Sequence, residues 1–260
     1  MTDGPDTSPA DMTNPTIDLM AAHVSVRRFT AEPVSDEMVD TILDAARRAP
    51  TSSNWQTYSI VVVRDQAIKQ DLSTLAGGQG HVADSQVFFV FCADLHRLNQ
   101  AHAVHGTQHA RGLEHTLTPI VDAAIVGEAA QIAAESFGLG AVMVGGIRSN
   151  AAQVAQTLGL PREVFGVYGM SVGWPATDPA AGGLKPRLPA DLVIHRDQYS
   201  DDGAADLIAA YDNALASFYE SRGRNVAGDN AWSQPVAQRS TELRYATLRD
   251  ELEGLGFEFD

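Results

Sequence analysis

The sequence predicts a layered fold of helices and strands, α/β or α+β, forming one domain over residues 17–260. Three observations carry this prediction. Apolar positions switch repeatedly between a helical period and the short continuous runs of buried strands, so helices and strands alternate along the chain. A chain of 260 residues, 44% of them hydrophobic, holds enough apolar side chain for a sizeable core. No composition break or internal repeat divides it.

The elements follow in order. Residues 1–16, MTDGPDTSPADMTNPT, are polar, acidic and Pro-containing, which predicts a disordered tail and lacks the basic-then-apolar pattern of a signal peptide. TIDLMAAH reads as a short helix running into HVSVRRF. Extended, that stretch puts His23, Ser25 and Arg27 on one face and Val24 and Val26 on the other. SDEMVDTILDAARRAP is a marked helix: Ser35 caps it, Asp36 and Glu37 suit its first turn, and Met38, Ile42, Leu43 and Ala46 form its apolar stripe. Arg47 and Arg48 suit its last turn, and Pro50 stops it. After the turn-rich TSSNWQ come the strand TYSIVVV, a helix near QAIKQDLSTL, the turn GGQGH and the strand QVFFVFCAD.

From Leu95 to Glu114 the chain is polar, histidine-rich and weakly helical. TPIVDAAIVGEAAQIAAESFGLG is the longest helix, with Thr118 as cap and Pro119 in its first turn. Its alanines allow close neighbours, which places it centrally. AVMVGG and VFGVYGMSVGW are strands either side of a helix around AAQVAQTLGL. The basic loop GGLKPRLP leads to the helix AADLIAAYDNALASFYESRG, and STELRYATLRDELEGLGF gives the last one.

Charge and motifs narrow the function. A net charge of −15 excludes a general nucleic-acid binder, so an anionic ligand must be held by a few local cations. The one cysteine, Cys92, lies in an apolar run and reads as a buried hydrophobe in a reducing cytoplasm. No apolar run approaches the ~18 residues of a membrane span, so the expectation is a soluble protein without a membrane partner. Phosphate-loop, dinucleotide-fingerprint, G-x-S-x-G and H-E-x-x-H motifs are all missing.

Three polar clusters remain. They are HVSVRRF; ARRAPTSSNWQ, with Thr51, Ser52, Ser53, Asn54 and Gln56; and LKPRLP, where Pro186 stiffens the chain between Lys185 and Arg187. Two cations fixed close together suit a terminal phosphate. Singly, each cluster also reads as an edge strand, a surface turn or a solvated loop. Their order changes the balance. HVSVRRF, ARRAPTSSNWQTYSIVVV, LAGGQGHVADSQVFFVFCAD, AAESFGLGAVMVGGIRSN, VGWP, LKPRLP and YDNALASFYESRG together resemble the oxygen-insensitive nitroreductase and flavin reductase family. The nearest branch is that of NADPH-dependent nitroreductases and NADPH–flavin oxidoreductases.

The resemblance implies an α+β, three-layer α/β/α subunit with a mainly antiparallel sheet, an intertwined homodimer, and two FMN sites at the subunit interface. It implies a C-terminal extension that wraps the partner and binds NAD(P)H. His23, Ser25 and Arg27 match the first FMN-binding segment, and Lys185 and Arg187 the phosphate pair. Thr51, Ser52 and Ser53 match polar residues near the flavin, Gln79 a glutamine reaching its ring, and Gly145 and Gly146 glycines that admit it. Arg222 matches an arginine for the NADPH 2′-phosphate, and Arg224 stands where a second could act. Val24 replaces an arginine of that branch, and Asn54 and Trp55 also differ from it. The implied reaction is ping-pong transfer of two electrons from NADPH, or NADH, to a nitroaromatic, a quinone or free flavin, with no side chain as nucleophile and no metal. The rivals are a flavoenzyme specific for one metabolite or metal oxyanion, and a non-enzymatic metal-binding or flavin-sensing protein. His102, His105 and His109 are spaced to share a helical face able to bind Zn²⁺ or Ni²⁺. A solvated or channel-lining face is the favoured reading, and by resemblance the segment covers the active-site channel.

Overall fold

The computed structural model describes residues 14–178, 183–226 and 228–260. Residues 1–13 of the expected tail lie outside these. The tail as read runs two residues too far: the Asn14 side chain accepts from Thr16 and Ile17 and starts helix α1 (Pro15–Ala21). The chain forms two compact units, the larger within Met1–Pro179 and Tyr245–Asp260, the smaller within Ala180–Arg244.

The larger unit is built on four strands: β1 (Tyr58–Val63), β2 (Val87–Asp94), β3 (Gly140–Val144) and β4 (Val164–Gly173). Their order is β1-β2-β4-β3, and every neighbouring pair is antiparallel. Val61 lies opposite Val90, Phe91 opposite Tyr168 and Met143 opposite Met170. A bulge follows Phe91, because Cys92 pairs with Gly166 and Val167 is passed over. All eight residues of β2 are buried, as its unbroken apolar run requires of a central strand.

Successive β2 side chains go to opposite faces. Phe89 and Phe91 join the cluster of Val39 and Ile42 from α2 (Asp36–Ala46) and Val126 and Ala130 from α6 (Leu113–Ser136). Phe88, Val90 and Cys92 join Leu72 of α3 (Gln66–Leu75), Val82 of α4 (Gly80–Asp84) and Val154 of α7 (Ala151–Leu158). Helices therefore cover both faces, giving the three-layer α/β/α subunit with an antiparallel sheet. Each fully buried Phe, Leu or Ile contributes about 1.5–3 kcal/mol. Burial also pushes the Cys92 thiol up to about 12, which leaves it protonated and inert.

Most helix signals act as read. Ser35 accepts from Met38 at the start of α2; at the start of α3 the structure adds a cap not read in the sequence, Asp65, which accepts from Ile68. Helix α6 differs. It begins at Leu113, not after Thr118, and carries Pro119 inside it. The chain end makes the extra turn: Thr116 Oγ1 donates to the Glu258 carbonyl at 2.6 Å, and Gly112, at φ 135°, lies against the Asp260 backbone. At 24 residues, α6 is long and apolar enough by length and composition to cross a membrane, which corrects the reading that no such run exists. It packs instead on β2 and α2, with Asp122 and Gln131 among its buried residues.

Helix α5 (His96–His105) stops at Gly106 in the left-handed region, so His109 cannot share a helical face with His102 and His105. His109 is buried, its Nε2 3.9 Å from Glu163 Oε2. The solvated reading fails for that residue.

In the smaller unit, α8 (Ala204–Glu220) and α9 (Ser233–Arg239) are joined through Asp212, whose Oδ1 accepts from the Trp232 and Ser233 amides at 2.9 Å each. The last expected helix shortens to α10 (Leu248–Leu255), in the larger unit. Tyr245, just before it, donates its hydroxyl to the Gly145 carbonyl at 3.1 Å.

Candidate functional site

Residues 23–28 run without helical structure beside β3, with the Val26 amide donating to the Ala141 carbonyl at 3.0 Å. Val26 is buried against Gly140, where a Cβ would sit 2.6 Å from the valine Cβ. The expected alternation holds: Ser25 and Arg27 are exposed, His23 is half-buried, and Val24 is covered less fully than Val26. His23 is already engaged. Its Nδ1 lies 2.6 Å from Glu135 Oε1 and 3.2 Å from Gln131 Nε2, both on α6. Burial raises the Glu135 carboxyl above its ordinary range, while the His23 hydrogen bond pulls the other way.

The glycine and glutamine positions come together in a second cluster. Gly77 and Gly78 both have positive φ, 85° and 76°, a turn that suits only glycine. It brings the Gln79 amide back to donate to the Ala76 carbonyl at 2.8 Å. A Cβ on Gly146 would collide with Gln79 Nε2 and the Ala76 oxygen, so the close approach this glycine permits is to the Gln79 turn. Gly145 lies beside Arg148, whose guanidinium sits 5.2 Å over the Tyr245 ring. His81, two residues beyond Gln79, places Nδ1 3.1 Å from Ser171 Oγ. Burial first, and then the charge of Arg27, lower its pKa. His81 is not among the residues singled out in the sequence.

The third cluster is the loop after α2. Ser52–Asn54 form a single 3₁₀ turn, and Ser53, Asn54 and Gln56 have φ of 48°, 58° and 53°. Non-glycine residues rarely adopt this region. One buried carboxylate closes the loop: Asp122 Oδ1 accepts from the Ser52 amide at 2.9 Å. Its Oδ2 accepts from the Thr57 amide at 3.2 Å and the Thr57 hydroxyl at 2.8 Å. Sequence reading passed over Asp122; the signal was a lone acid on the alanine-rich face of an apolar helix. Trp55 is exposed, 5.5 Å from the His115 ring, and flanks a cavity of about 510 Å³ with Leu43, Tyr58, Ile60 and Arg97.

Helix α6 anchors the row at 23–27 and the loop at 51–57 in different places. Asp122 and Glu135 are thirteen residues apart, about 20 Å along the axis and about 140° around it. One chain does not bring Ser52 and His23 to a common point on that helix.

In the smaller unit, Tyr211 donates its hydroxyl to the Pro186 carbonyl at 3.1 Å, fixing the loop that carries exposed Lys185 and Arg187. Lys185 Nζ and the Arg224 guanidinium both lie over the Tyr219 ring, at 5.6 and 4.6 Å. Arg222 stacks 3.6 Å over Phe218 and donates to its carbonyl. Lys185, Arg222 and Arg224, three of the cations expected to hold the two phosphates, thus gather around Phe218 and Tyr219. Row, Gln79 turn and loop lie in the other unit.

The chain is similar to known proteins along most of its length. The model of the nitroreductase family matches residues 20–174, and that of the nitroreductase family C-terminal domain matches 185–260. The oxygen-insensitive NADPH nitroreductase of Salmonella typhimurium is 44% identical, covering 86% of this chain and 90% of its own. An FMN reductase [NAD(P)H] of Bacillus subtilis is 37% identical over 95% and 99% of the two chains. The solved structure of NfrA2 from B. megaterium superposes with a TM-score of 0.90 at 40% identity, covering 95% of this chain and 100% of that one. With both family models matched in order and the three-layer fold in common, this chain belongs to the nitroreductase family.

Proposed function

We propose that the protein is an FMN-dependent NAD(P)H oxidoreductase that delivers two electrons, by a ping-pong cycle, to nitroaromatics, quinones or free flavin, with NADPH as the preferred donor. The observation that carries this reading is the concentration of exposed cations and short polar groups at the expected positions of a chain with net charge −15. Arg27 and Ser25 are both exposed on the row, and Lys185 and Arg187 sit on a loop pinned at Pro186. This donor set fits a phosphate dianion and a ribityl chain.

When bound, FMN supplies the hydride-accepting and hydride-donating ring, so the protein needs no nucleophile. The chain's own residues orient and bind. Arg27, Lys185 and Arg187 offset the phosphate charge; Ser25 and Gln79 offer hydrogen bonds; Thr51, Ser52 and Ser53 present hydroxyls and amides from a fixed loop. Arg222 and Arg224, just after α8, offer a site to the 2′-phosphate of NADPH.

A second copy completes the site. Leu113, Leu117, Val121 and Ile125 recur every four residues on α6 and are 49%, 49%, 52% and 38% exposed. Such a stripe on the longest helix supports a homodimer in which it is covered. The separation of row and loop along α6 supports FMN lying between subunits, with the smaller unit as the extension that wraps the partner. The single buried thiol supports a reducing cytoplasm, and the acidic surface leaves no role for nucleic acid. Purified protein should be yellow, or become so with FMN, and bleach when NADPH is added without oxygen. Protein that takes up no flavin, or holds it without NADPH bleaching it, refutes the reading.

A further inference from the structure

We infer that Asp122 is a positioning residue for the flavin-side loop: its carboxylate locks Ser52–Gln56 into the backbone shape that presents Ser52 and Ser53 to the cofactor. The inference rests on the FMN reading above and adds a residue to it.

Three observations combine. The loop holds Ser53, Asn54 and Gln56 in the left-handed region within four residues, and only asparagine among them tolerates it readily. Left to itself the segment relaxes to negative φ and its amides turn. Something outside it must impose the shape. Within the loop the Asn54 amide donates to Thr51 at 3.2 Å and the Trp55 amide to Ser52 at 2.9 Å, both local turn bonds that leave its ends free to splay. Among the described residues the ends are joined by one carboxylate, Asp122: one oxygen takes the Ser52 amide, the other takes the Thr57 amide and hydroxyl. Asp122 is 1% exposed and Thr57 1%, so water cannot replace the carboxylate at the Thr57 end, while Ser52 at the other end is exposed and is held by the same carboxylate. A carboxylate accepts at both oxygens, whereas an amide accepts at one and donates at the other. The site therefore requires Asp rather than its isostere. Arg97 backs the loop from outside, donating to the Gln56 and Tyr58 carbonyls at 3.0 and 2.9 Å, but it touches neither Ser52 nor Ser53 by hydrogen bond.

Asp122→Asn keeps volume and shape and turns one acceptor into a donor facing a backbone N–H. Expected are an FMN Kd raised about tenfold or more, and a visible flavin spectrum and kcat that stay altered when FMN is saturating. Val126→Ala is the control. It truncates a fully buried side chain on the same helix and should lower the Tm without changing the spectrum at saturating FMN. If Asp122→Asn regains the wild-type spectrum and kcat at saturating FMN, as Val126→Ala does, the carboxylate acts only through global stability and the inference is overturned. Should Asp122→Asn fail to fold, Thr57→Val removes one of the three donors and leaves the charge. It should shift Kd and spectrum in the same direction by less, and an unchanged flavin environment in that variant overturns the inference too. A wild-type protein that binds no FMN defeats the FMN reading itself; wild type that binds FMN beside an indifferent Asp122→Asn defeats only the role of Asp122.

Discussion

Replacing Gly146 by alanine tests how tightly the Gln79 turn is built into the site. The new Cβ meets Gln79 Nε2 and the Ala76 oxygen at less than contact distance, and the Ala76 carbonyl carbon at 3.2 Å. The glutamine amide can swing away, but Ala76 is backbone at the end of α3, followed by two left-handed glycines that fix its direction. The strand-end backbone must shift, at a cost of about 1–3 kcal/mol. Lower chain entropy in the unfolded state returns about 0.4–1 kcal/mol. The net loss is about 1–2 kcal/mol, or a fall in Tm of roughly 2–8 °C for a chain of this size. Because the Gln79–Ala76 bond must break, FMN affinity falls as well. Gly254→Ala is the opposite case: it lies inside α10 with nothing within 4 Å of a new Cβ, so the variant should gain about 0.4–1 kcal/mol. Thermal unfolding and quenching of flavin fluorescence measure both effects. If the two variants shift Tm in the same direction, or Gly146→Ala binds FMN like wild type, the packing argument is wrong.

The remaining predictions follow from the charged groups. Replacing Lys185 and Arg187 together by alanine should release FMN, raising its Kd about tenfold or more; a double variant that stays fully yellow after gel filtration removes them from the phosphate site. Arg222→Ala should raise the KM for NADPH more than that for NADH, since only NADPH has a 2′-phosphate, and equal changes count against it. Burial raises the folded-state pKa of Glu135, so its stabilising contribution is fully present below the ordinary glutamate pKa and is lost as pH rises through the folded value. The stability of wild type relative to Glu135→Gln should therefore fall as pH rises above about 4, and a difference that is flat or opposite in denaturant titrations contradicts this.

Much of the fold was legible because its signals are local. Ser35 caps α2 as the sequence reads, and VFFVFCAD is a strand buried on both faces. Errors came where distant groups decide. Thr118–Pro119 has the chemistry of a helix start, yet the chain's last residues, Glu258 and Asp260, add a turn before it. The short helices α4 and α9 carry too few residues for a period to show. The site divides in the same way. Motif order picked out the row, the loop and the cations as candidates, because each is continuous in sequence. Asp122 and His81 were invisible because their partners, Ser52, Thr57 and Ser171, lie 65–90 residues away. The contact of His23 with Glu135 was not legible either, since nothing nearby in sequence marks it.

The wide spacing of Asp122 and Glu135 on one rigid rod has a genetic corollary. If each reaction chamber borrows its walls from two polypeptides, lesions in the row and lesions in the loop are complementary. Two inactive alleles of different kinds, expressed in one cell, would assemble mixed pairs in which one chamber inherits both defects and the other inherits neither, restoring half the activity of such a pair. Two alleles of the same kind would never do so.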